Sequence, residues 1–302
     1  MDISFIIVNW NTKELLLNCI DSIFKTVKGI KFEIWLVDNA SQDGSVEAVK
    51  TKYNNINIIV NHQNLGFAAA NNIAFKQMSG RYALLLNTDT VLTDSAISEL
   101  YNFMENNEKT GIACGQLLNL DGSKQNSIAN FPSLLSLLSN ETLLRILMPS
   151  KFPSKRKEYM LPIEIDSGIG ACLIIRKKAL DDIGLFDEQY FFFMEETDLA
   201  YRMKKAGWNI YFIPSAKIFH LQGKSAGKGV NSRIMFYNSR YLYFKKWNPD
   251  IYWLIYFIIF MRLFVNTALT GIGIIFTLGL NSYLNQKLMV YIKLIFWHFN
   301  RK

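Results

Sequence analysis

Short apolar runs alternate with helical repeats through the first third of this chain, and each run stops abruptly at polar residues. Residues 3–8 (Ile-Ser-Phe-Ile-Ile-Val), 33–37, 56–60 and 82–86 have the length and composition of buried strands. Between the first two, Leu15, Leu16, Cys19, Ile20, Ile23 and Phe24 recur at helical spacing. Residues 39–45 form a turn-rich loop whose Ser45 is placed to cap the next helix, and Asn64-Leu65-Gly66-Phe67 opens a helix of small residues, 68–74. Alternation of this kind confines the chain to an α/β fold, a mainly parallel sheet with helices on both faces.

The strand endings carry the first chemical signal. Ala83-Leu84-Leu85-Leu86 gives way to Asn87-Thr88-Asp89, and Ile34-Trp35-Leu36-Val37 ends on Asp38. The carboxyl edge of an open α/β sheet is where ligands bind. The i, i+2 oxygen pair of Asn87 and Asp89 suits a hard divalent cation, and such a cation suits a diphosphate. Asp38 can accept a hydrogen bond from a nucleobase imide or a ribose hydroxyl, or serve as a turn acid capping the loop that follows. The Asn64-Leu65-Gly66 turn can offer backbone amides to a phosphate, or its glycine and the alanines after it can serve close packing.

Further along, Thr93 or Asp94 can cap a helix running to about residue 106. A strand near 111–118 and an Asp121-Gly122 turn follow. Apolar periodicity in 134–148, two prolines and the basic cluster Lys155-Arg156-Lys157 leave 131–160 readable as a lid or an acceptor loop. A glycine-rich approach, Ser167 to Ala171, leads into strand 172–176, and a short helix, 177–183, ends at Gly184. The aromatic run Tyr190-Phe191-Phe192-Phe193 then meets Glu195, Glu196 and Asp198 at the start of a helix that stops at Gly207. Acids there favour the helix dipole, and Asp198 can pair with Arg202 at i, i+4. A carboxyl beside apolar rings also has a raised pKa and can act as a general base, which assigns catalysis to Glu195 or Glu196 and structure to Asp198. Strand 209–213 and segment 217–220 end at His220, readable as a hydrogen-bonded structural residue or as a third ligand to a cation held by Asp89.

Charge divides the chain. Of the net +8, residues 226–302 carry ten Lys or Arg against the single acid Asp250, so residues 1–225 are near neutral and a general nucleic-acid role is disfavoured. Residues 251–261 are nearly all apolar or aromatic, and 263–280 are uncharged. That length approaches a bilayer span, while Arg262, Asn266, Thr267 and the glycines weaken it. Basic and aromatic flanks fit an anionic membrane surface; a helical hairpin or an oligomer interface is the alternative. Three widely spaced cysteines, Cys19, Cys114 and Cys172, point to a reducing compartment, and the amino terminus reads as a first strand and not as a secretory signal.

Seven segments in order resemble the inverting family 2 glycosyltransferases, bacterial rhamnosyltransferase-like members especially. They are residues 5–11, 37–45, 64–72, 86–90, 184–188 (Gly-Leu-Phe-Asp-Glu), 195–199 (Glu-Glu-Thr-Asp-Leu) and 220–225 (His-Leu-Gln-Gly-Lys-Ser). Composition assigns 226–302 to a helical, hydrophobic, basic, membrane-associating tail. The resemblance, which covers about residues 3–225, implies a GT-A fold with a nucleotide-sugar-binding half over 1–130 and an acceptor and catalytic half over 131–225. It implies a UDP- or dTDP-linked sugar donor, a glycan or lipid-linked acceptor, and a place at the cytoplasmic face of the cell membrane. Asn9, Asn11, Asp38, Asn64, Gly66 and Asn87 would line the nucleotide pocket. Asp89, in the family's DxD position, would bind Mg²⁺ or Mn²⁺ with His220. Glu196 would be the base, with Glu195 its rival.

Two other enzyme classes lack their signals. A dinucleotide oxidoreductase needs GxGxxG after the first strand, and a sugar nucleotidyltransferase needs a glycine-rich basic loop there; Asn9-Trp10-Asn11-Thr12 supplies neither. A non-catalytic membrane protein would account for the tail but not for acids at three element ends.

Overall fold

The structure, a computed structural model, describes residues 1–139, 141–149, 151–153, 157–221 and 229–300. Lys155 and Arg156 of the basic cluster, residues 222–225 of the last motif, and Arg301 and Lys302 lie outside them. The chain divides into two compact units, Met1–Phe131 with Phe152–Ala226, and Pro132–Lys151 with Gly227–Lys302.

The first unit begins with β1 (Ile3–Asn9), α1 (Lys13–Thr26), β2 (Phe32–Asp38), α2 (Ser45–Lys52), β3 (Asn57–Val60) and α3 (Phe67–Phe75). It continues through β4 (Tyr82–Leu86), β5 (Thr90–Leu92), α4 (Ala96–Asn106), β6 (Thr110–Leu118) and β7 (Ile128–Ala129). The second unit then contributes α5 (Leu134–Leu138) and α6 (Glu141–Leu147). The first resumes with β8 (Ile163–Glu164), β9 (Ser167–Gly168), β10 (Cys172–Arg176), α7 (Lys177–Ile183), α8 (Glu195–Lys205) and β11 (Asn209–His220). The chain closes in the second unit with α9 (Val230–Trp247), α10 (Tyr252–Phe276) and α11 (Ser282–Asn300).

The main sheet has the order β3-β2-β1-β4-β10-β6-β11-β5, with β8 also on β11. The first four strands are parallel, as the alternation predicts. β10 enters antiparallel to both β4 and β6, and β6 and β11 run parallel. Period-two alternation sorts the side chains into two cores. Ile3, Phe5 and Ile7 of β1 pack with Leu16, Ile20 and Leu100 of α1 and α4 on one face. Ile6, with Leu85 and Ile175, packs against Ala70 of α3 and Leu199 and Met203 of α8 on the other.

β4 and β5 are adjacent in sequence yet far apart in the sheet. The register of β11 against β6 shifts between Ile213 and Lys217, and the second half of β11 carries β5 on its free edge. Gly115 of β6 permits this bend, since a Cβ there would strike the carbonyl oxygen of Ala216. The sheet thereby curls until the β4–β5 turn and the end of β11 meet.

Two cap expectations are corrected. Gly44, in the left-handed region at φ 75°, precedes α2, and Ser45 is already its first residue, bonded to Asp43 instead of capping. Ser95 precedes α4; Thr93 is drawn away by a tertiary bond from its hydroxyl to the carbonyl of Lys217, 2.7 Å. Gly207 does stand just past α8 with φ 84°.

In the second unit, Leu137 and Leu144 of α5 and α6 are buried, and the Arg262 guanidinium of α10 donates to the carbonyl of Leu137. Residues 132–151 thus group with the helical tail, with Leu137 and Leu144 turned into that unit. His298 of α11 is buried, its Nδ1 3.1 Å from Tyr241 Oη of α9 and its ring 4.0 Å from that of Tyr256 in α10.

Candidate active site

The pocket floor is built where β1 and β2 end side by side, Asn9 opposite Asp38. Both are fully buried. Asn9 Nδ2 donates to Asp38 Oδ1 at 2.7 Å and to Ser41 Oγ at 3.0 Å, and the Ser41 amide donates to Asp38 Oδ2 at 2.8 Å. Asn11, at φ 53°, accepts from the Gln42 amide (2.7 Å) and donates its own amide to Ser41 Oγ (2.9 Å). The residue type explains the conformation, because asparagine tolerates the left-handed region better than other side-chain-bearing residues. Asp38 therefore organises the two loops, with acceptor capacity left on its oxygens.

The 64–67 turn is joined to this floor through Asn39, whose Nδ2 lies 3.2 Å from both Asn64 Oδ1 and the Gly66 carbonyl. The amide of Gly66 donates to Asn64 Oδ1 at 2.9 Å, and that of Phe67 to the carbonyl of Phe191 at 2.8 Å. Both amides are thus engaged within the protein. Gly66 has φ 83°, and a Cβ on it would strike the Phe191 carbonyl oxygen, so the glycine permits close approach of the aromatic loop before α8.

Asn87 to Thr90 forms a turn, closed by the Thr90 amide on the Asn87 carbonyl at 3.2 Å. Thr12 Oγ1 ties it to the floor, bonding Asn9 Oδ1 (2.7 Å) and Thr88 Oγ1 (2.8 Å). Asp89 is buried, and its Oδ1 lies 3.5 Å from Nε2 of His220, while its carbonyl accepts from the Leu221 amide at 2.8 Å. No local pattern in the chain marks what holds that imidazole. Gln125 Nε2 donates to the backbone carbonyl of His220 (2.6 Å) and to Asn119 Oδ1 (2.7 Å), which fixes its Oε1 as the atom 2.9 Å from His220 Nδ1. Nδ1 must then carry the proton, and in the neutral ring the Nε2 lone pair faces the carboxylate.

A carboxylate oxygen and an imidazole nitrogen held in this way are a donor pair for a divalent cation such as Mn²⁺ or Mg²⁺. Among the described residues no group of three or more His, Cys, Asp or Glu side chains is arranged for a metal. Asp89 and His220 are only a pair, so a cation held between them would take its remaining ligands from phosphate oxygens and water. A cleft of about 370 Å³ opens beside Asp89 on the α1 side, lined by Leu15, Asn18, Asp21, Thr88 and Leu221 among others.

Glu195 and Glu196 open α8 directly after Phe193 and Met194, both left-handed at φ 71° and 68°. Such conformations cost non-glycine residues ~1–3 kcal/mol each and cluster at functional sites. Glu195 is buried, and its Oε2 has no hydrogen-bond partner among the described residues. Burial, then the charge of Glu196, pushes its carboxyl well above the ordinary range. Glu196 is half-buried and is also pushed up by burial. Its side chain lies over Gly170, and the next residue, Ala171, accepts from the Asn87 amide at 3.0 Å. Glu196 and the Asn87–Asp89 turn thus flank one two-residue segment. Asp198 is the structural acid expected, fully buried and 2.9 Å from Arg202 Nε, whose other nitrogens bond the carbonyls of Ile183 and Leu185. The 184–188 motif is fixed to α3, since Asn72 bonds the Phe186 amide (3.0 Å) and Glu188 Oε1 (2.9 Å).

A partly parallel sheet whose carboxyl edge gathers a strand-end carboxylate facing an imidazole, with a carboxyl pair of raised pKa at the start of α8, has the build of a GT-A-type sugar transferase. The chain belongs to glycosyl transferase family 2, whose model matches residues 4–184. It is 29% identical over 215 residues to the N-acetylglucosaminyl-diphospho-decaprenol L-rhamnosyltransferase of Mycobacterium tuberculosis, covering 67% of this chain and 70% of that protein. It is 27% identical, also over 215 residues, to the low-salt glycan biosynthesis hexosyltransferase Agl10 of Haloferax volcanii, covering 69% of this chain and 64% of that one. Among solved structures, S. aureus TarS 1-349 in complex with UDP superimposes with a TM-score of 0.53 at 17% identity, over 80% of this chain and 64% of that chain. GalNAc-T7 with UDP, GalNAc and Mn²⁺ gives 0.56 at 15% identity, over 78% of this chain and 47% of that one. The fold is GT-A and the protein is a glycosyltransferase; the nucleotidyltransferase and non-catalytic readings are set aside.

Proposed function

We propose that the protein is a metal-dependent inverting transferase that moves rhamnose or a similar hexose from a UDP- or dTDP-linked donor to a glycan or lipid-linked acceptor. The observation that carries this is the Asp89–His220 pair, its imidazole oriented by Gln125, beside the segment that supports Glu196. The acceptor and sugar are supported by the similarity to an enzyme named for rhamnosyl transfer to a diphospho-decaprenol-linked sugar. Such a reaction belongs to surface polysaccharide synthesis at the cytoplasmic face of the cell membrane, and the apolar Pro249–Phe276 stretch fits membrane association.

In this reading Asn9, Asn11, Asp38, Asn64 and Gly66 shape the nucleotide pocket, and Asn87 holds the turn that presents Asp89. When bound by Asp89 and His220, Mg²⁺ or Mn²⁺ supplies positive charge to the departing diphosphate. Glu196 takes the proton of the acceptor hydroxyl as that oxygen bonds the anomeric carbon. The bond from that carbon to the diphosphate oxygen breaks on the opposite side, so the configuration inverts. Glu196 is preferred over Glu195 because it is the more accessible of the two.

The test is transfer from a panel of UDP- and dTDP-sugars to a polyprenyl-diphosphate-linked N-acetylglucosamine, with product anomers read by NMR. Chelation and Asp89→Ala should each abolish transfer, and Glu196→Gln should slow it by ~10²–10⁴-fold. Full activity in both variants, or retention of configuration, would sink the mechanism.

A further inference from the structure

Exposed apolar side chains concentrate in the second unit. Along α10 they form a stripe at helical spacing through Trp253, Phe257, Phe264, Leu269, Ile272 and Phe276, each 49–84% exposed. By length and composition Pro249–Phe276 is a candidate membrane span, with a mean hydropathy of 1.9 in its apolar window. Its neighbour argues against crossing.

α11 runs back along α10 for most of its length. Near the turn, Leu284 Cδ1 stands 3.4 Å from where a Cβ on Gly273 would lie. At the far end, Tyr256 Oη donates to the His298 carbonyl at 2.9 Å, and Phe260 lies 5.1 Å from the His298 ring. If α10 crossed a bilayer, α11 would be drawn in with Lys287 and the exposed Lys293 near its middle, while α10 would bring Arg262. Each cation near a bilayer centre costs ~2.5–3.5 kcal/mol on insertion scales. Lying in the interface, the same side chains reach the headgroups while the aromatic and aliphatic groups face the acyl chains.

The insertion α5–α6 extends this surface. Leu137 and Leu144 turn inward, while Leu138, Leu143, Ile146 and Leu147 are 50–71% exposed, and Arg262 ties α5 to α10. We infer that residues 132–151 and the α10–α11 pair form one monotopic docking surface for an anionic lipid leaflet, lying in the plane of the interface without spanning it. The occupant follows from charge: residues 226–302 carry ten cations and one acid, which repels a second copy and complements anionic headgroups. This deepens the membrane association proposed above and assigns the insertion a lipid-facing role in place of an acceptor lid.

Two measurements on the full chain test it. In the first, vesicles of phosphatidylethanolamine with phosphatidylglycerol are sedimented with wild type and with Leu143→Glu/Ile146→Glu/Leu147→Glu. The triple variant should partition at least about tenfold more weakly, with an unchanged melting temperature, because three apolar contacts become anionic. Wild-type failure to bind vesicles, with or without dimer formation, would overturn membrane association altogether. Equal binding by wild type and variant would overturn the role of the insertion alone. In the second, Leu280→Cys, at the exposed α10–α11 turn, is treated with an impermeant maleimide in spheroplasts. The native thiols Cys19, Cys114 and Cys172 are all buried and contribute no background. Labelling should appear only after detergent lysis; labelling of intact spheroplasts would mean that α10 spans.

Discussion

Gln125 Oε1 lies 2.9 Å from His220 Nδ1, on the side of the imidazole away from Asp89. This amide, 95 residues away in sequence, decides which ring nitrogen faces Asp89, the residue proposed to hold a cation. Loss of such an orienting partner weakens metal affinity by about 10–100-fold. Gln125→Leu should therefore weaken Mn²⁺-dependent binding of UDP within that range, measured by calorimetry. Gln125→Glu, which keeps an acceptor oxygen, should recover most of it. Equal losses in both variants would show that packing, not tautomer control, is at stake.

The two adjacent glutamates should separate cleanly. Glu196→Gln should lower kcat for transfer by ~10²–10⁴-fold, the usual worth of a general base, with donor affinity unchanged. Glu195→Gln should stay within about tenfold of wild type, since a buried carboxyl held neutral gives up no base when it becomes an amide. A reversal of these two outcomes would make Glu195 the base.

Their raised pKa values set opposite pH dependences for rate and stability. Glu196 must be ionised to accept a proton, so the acid limb of kcat should lie above the ordinary glutamate value of about 4.3. For Glu195, the folded state holds its proton more tightly than the unfolded chain. That contribution to stability is complete below about pH 4.3 and is lost as pH rises through the raised folded value. Glu195→Gln should be more stable than wild type at neutral pH, and its melting temperature should decline less steeply from pH 4.3 upward. Parallel curves would contradict this.

Gly66→Ala places a methyl against the Phe191 carbonyl at a backbone φ of 83°. The cost should be about 1–3 kcal/mol, read from thermal unfolding, with weaker donor binding as the aromatic loop moves away. A substitution without effect on either would remove the glycine from the site.

Much of the catalytic unit was legible in the sequence because its signals are local. The four parallel strands, the strand-end carboxylates and the Asp198–Arg202 pair each depend on neighbours a few residues away. Gln125 was not legible, since nothing near it marks a contact with His220. The antiparallel entry of β10 and the bend in β11 likewise depend on pairing across long separations. Ser45 and Thr93 look like caps locally, and tertiary structure assigns them elsewhere. Residues 134–148 show their helical periodicity but not the element they pair with, because Arg262 and α10 lie more than a hundred residues later.

The placement of β11 between β6 and β5 also sets an order of assembly. Strands β1 to β4 complete their mutual pairing within the first 86 residues, so the nucleotide floor can form early during synthesis. Asp89 is made soon after, but its imidazole partner is the last residue of a strand that begins at Asn209. A nascent chain can thus hold β1 to β4 folded for more than a hundred residues while Asp89 lacks the imidazole that faces it. The Asp89–His220 pair is completed only when the final strand docks, so the proposed mechanism requires the whole unit before any transfer can begin.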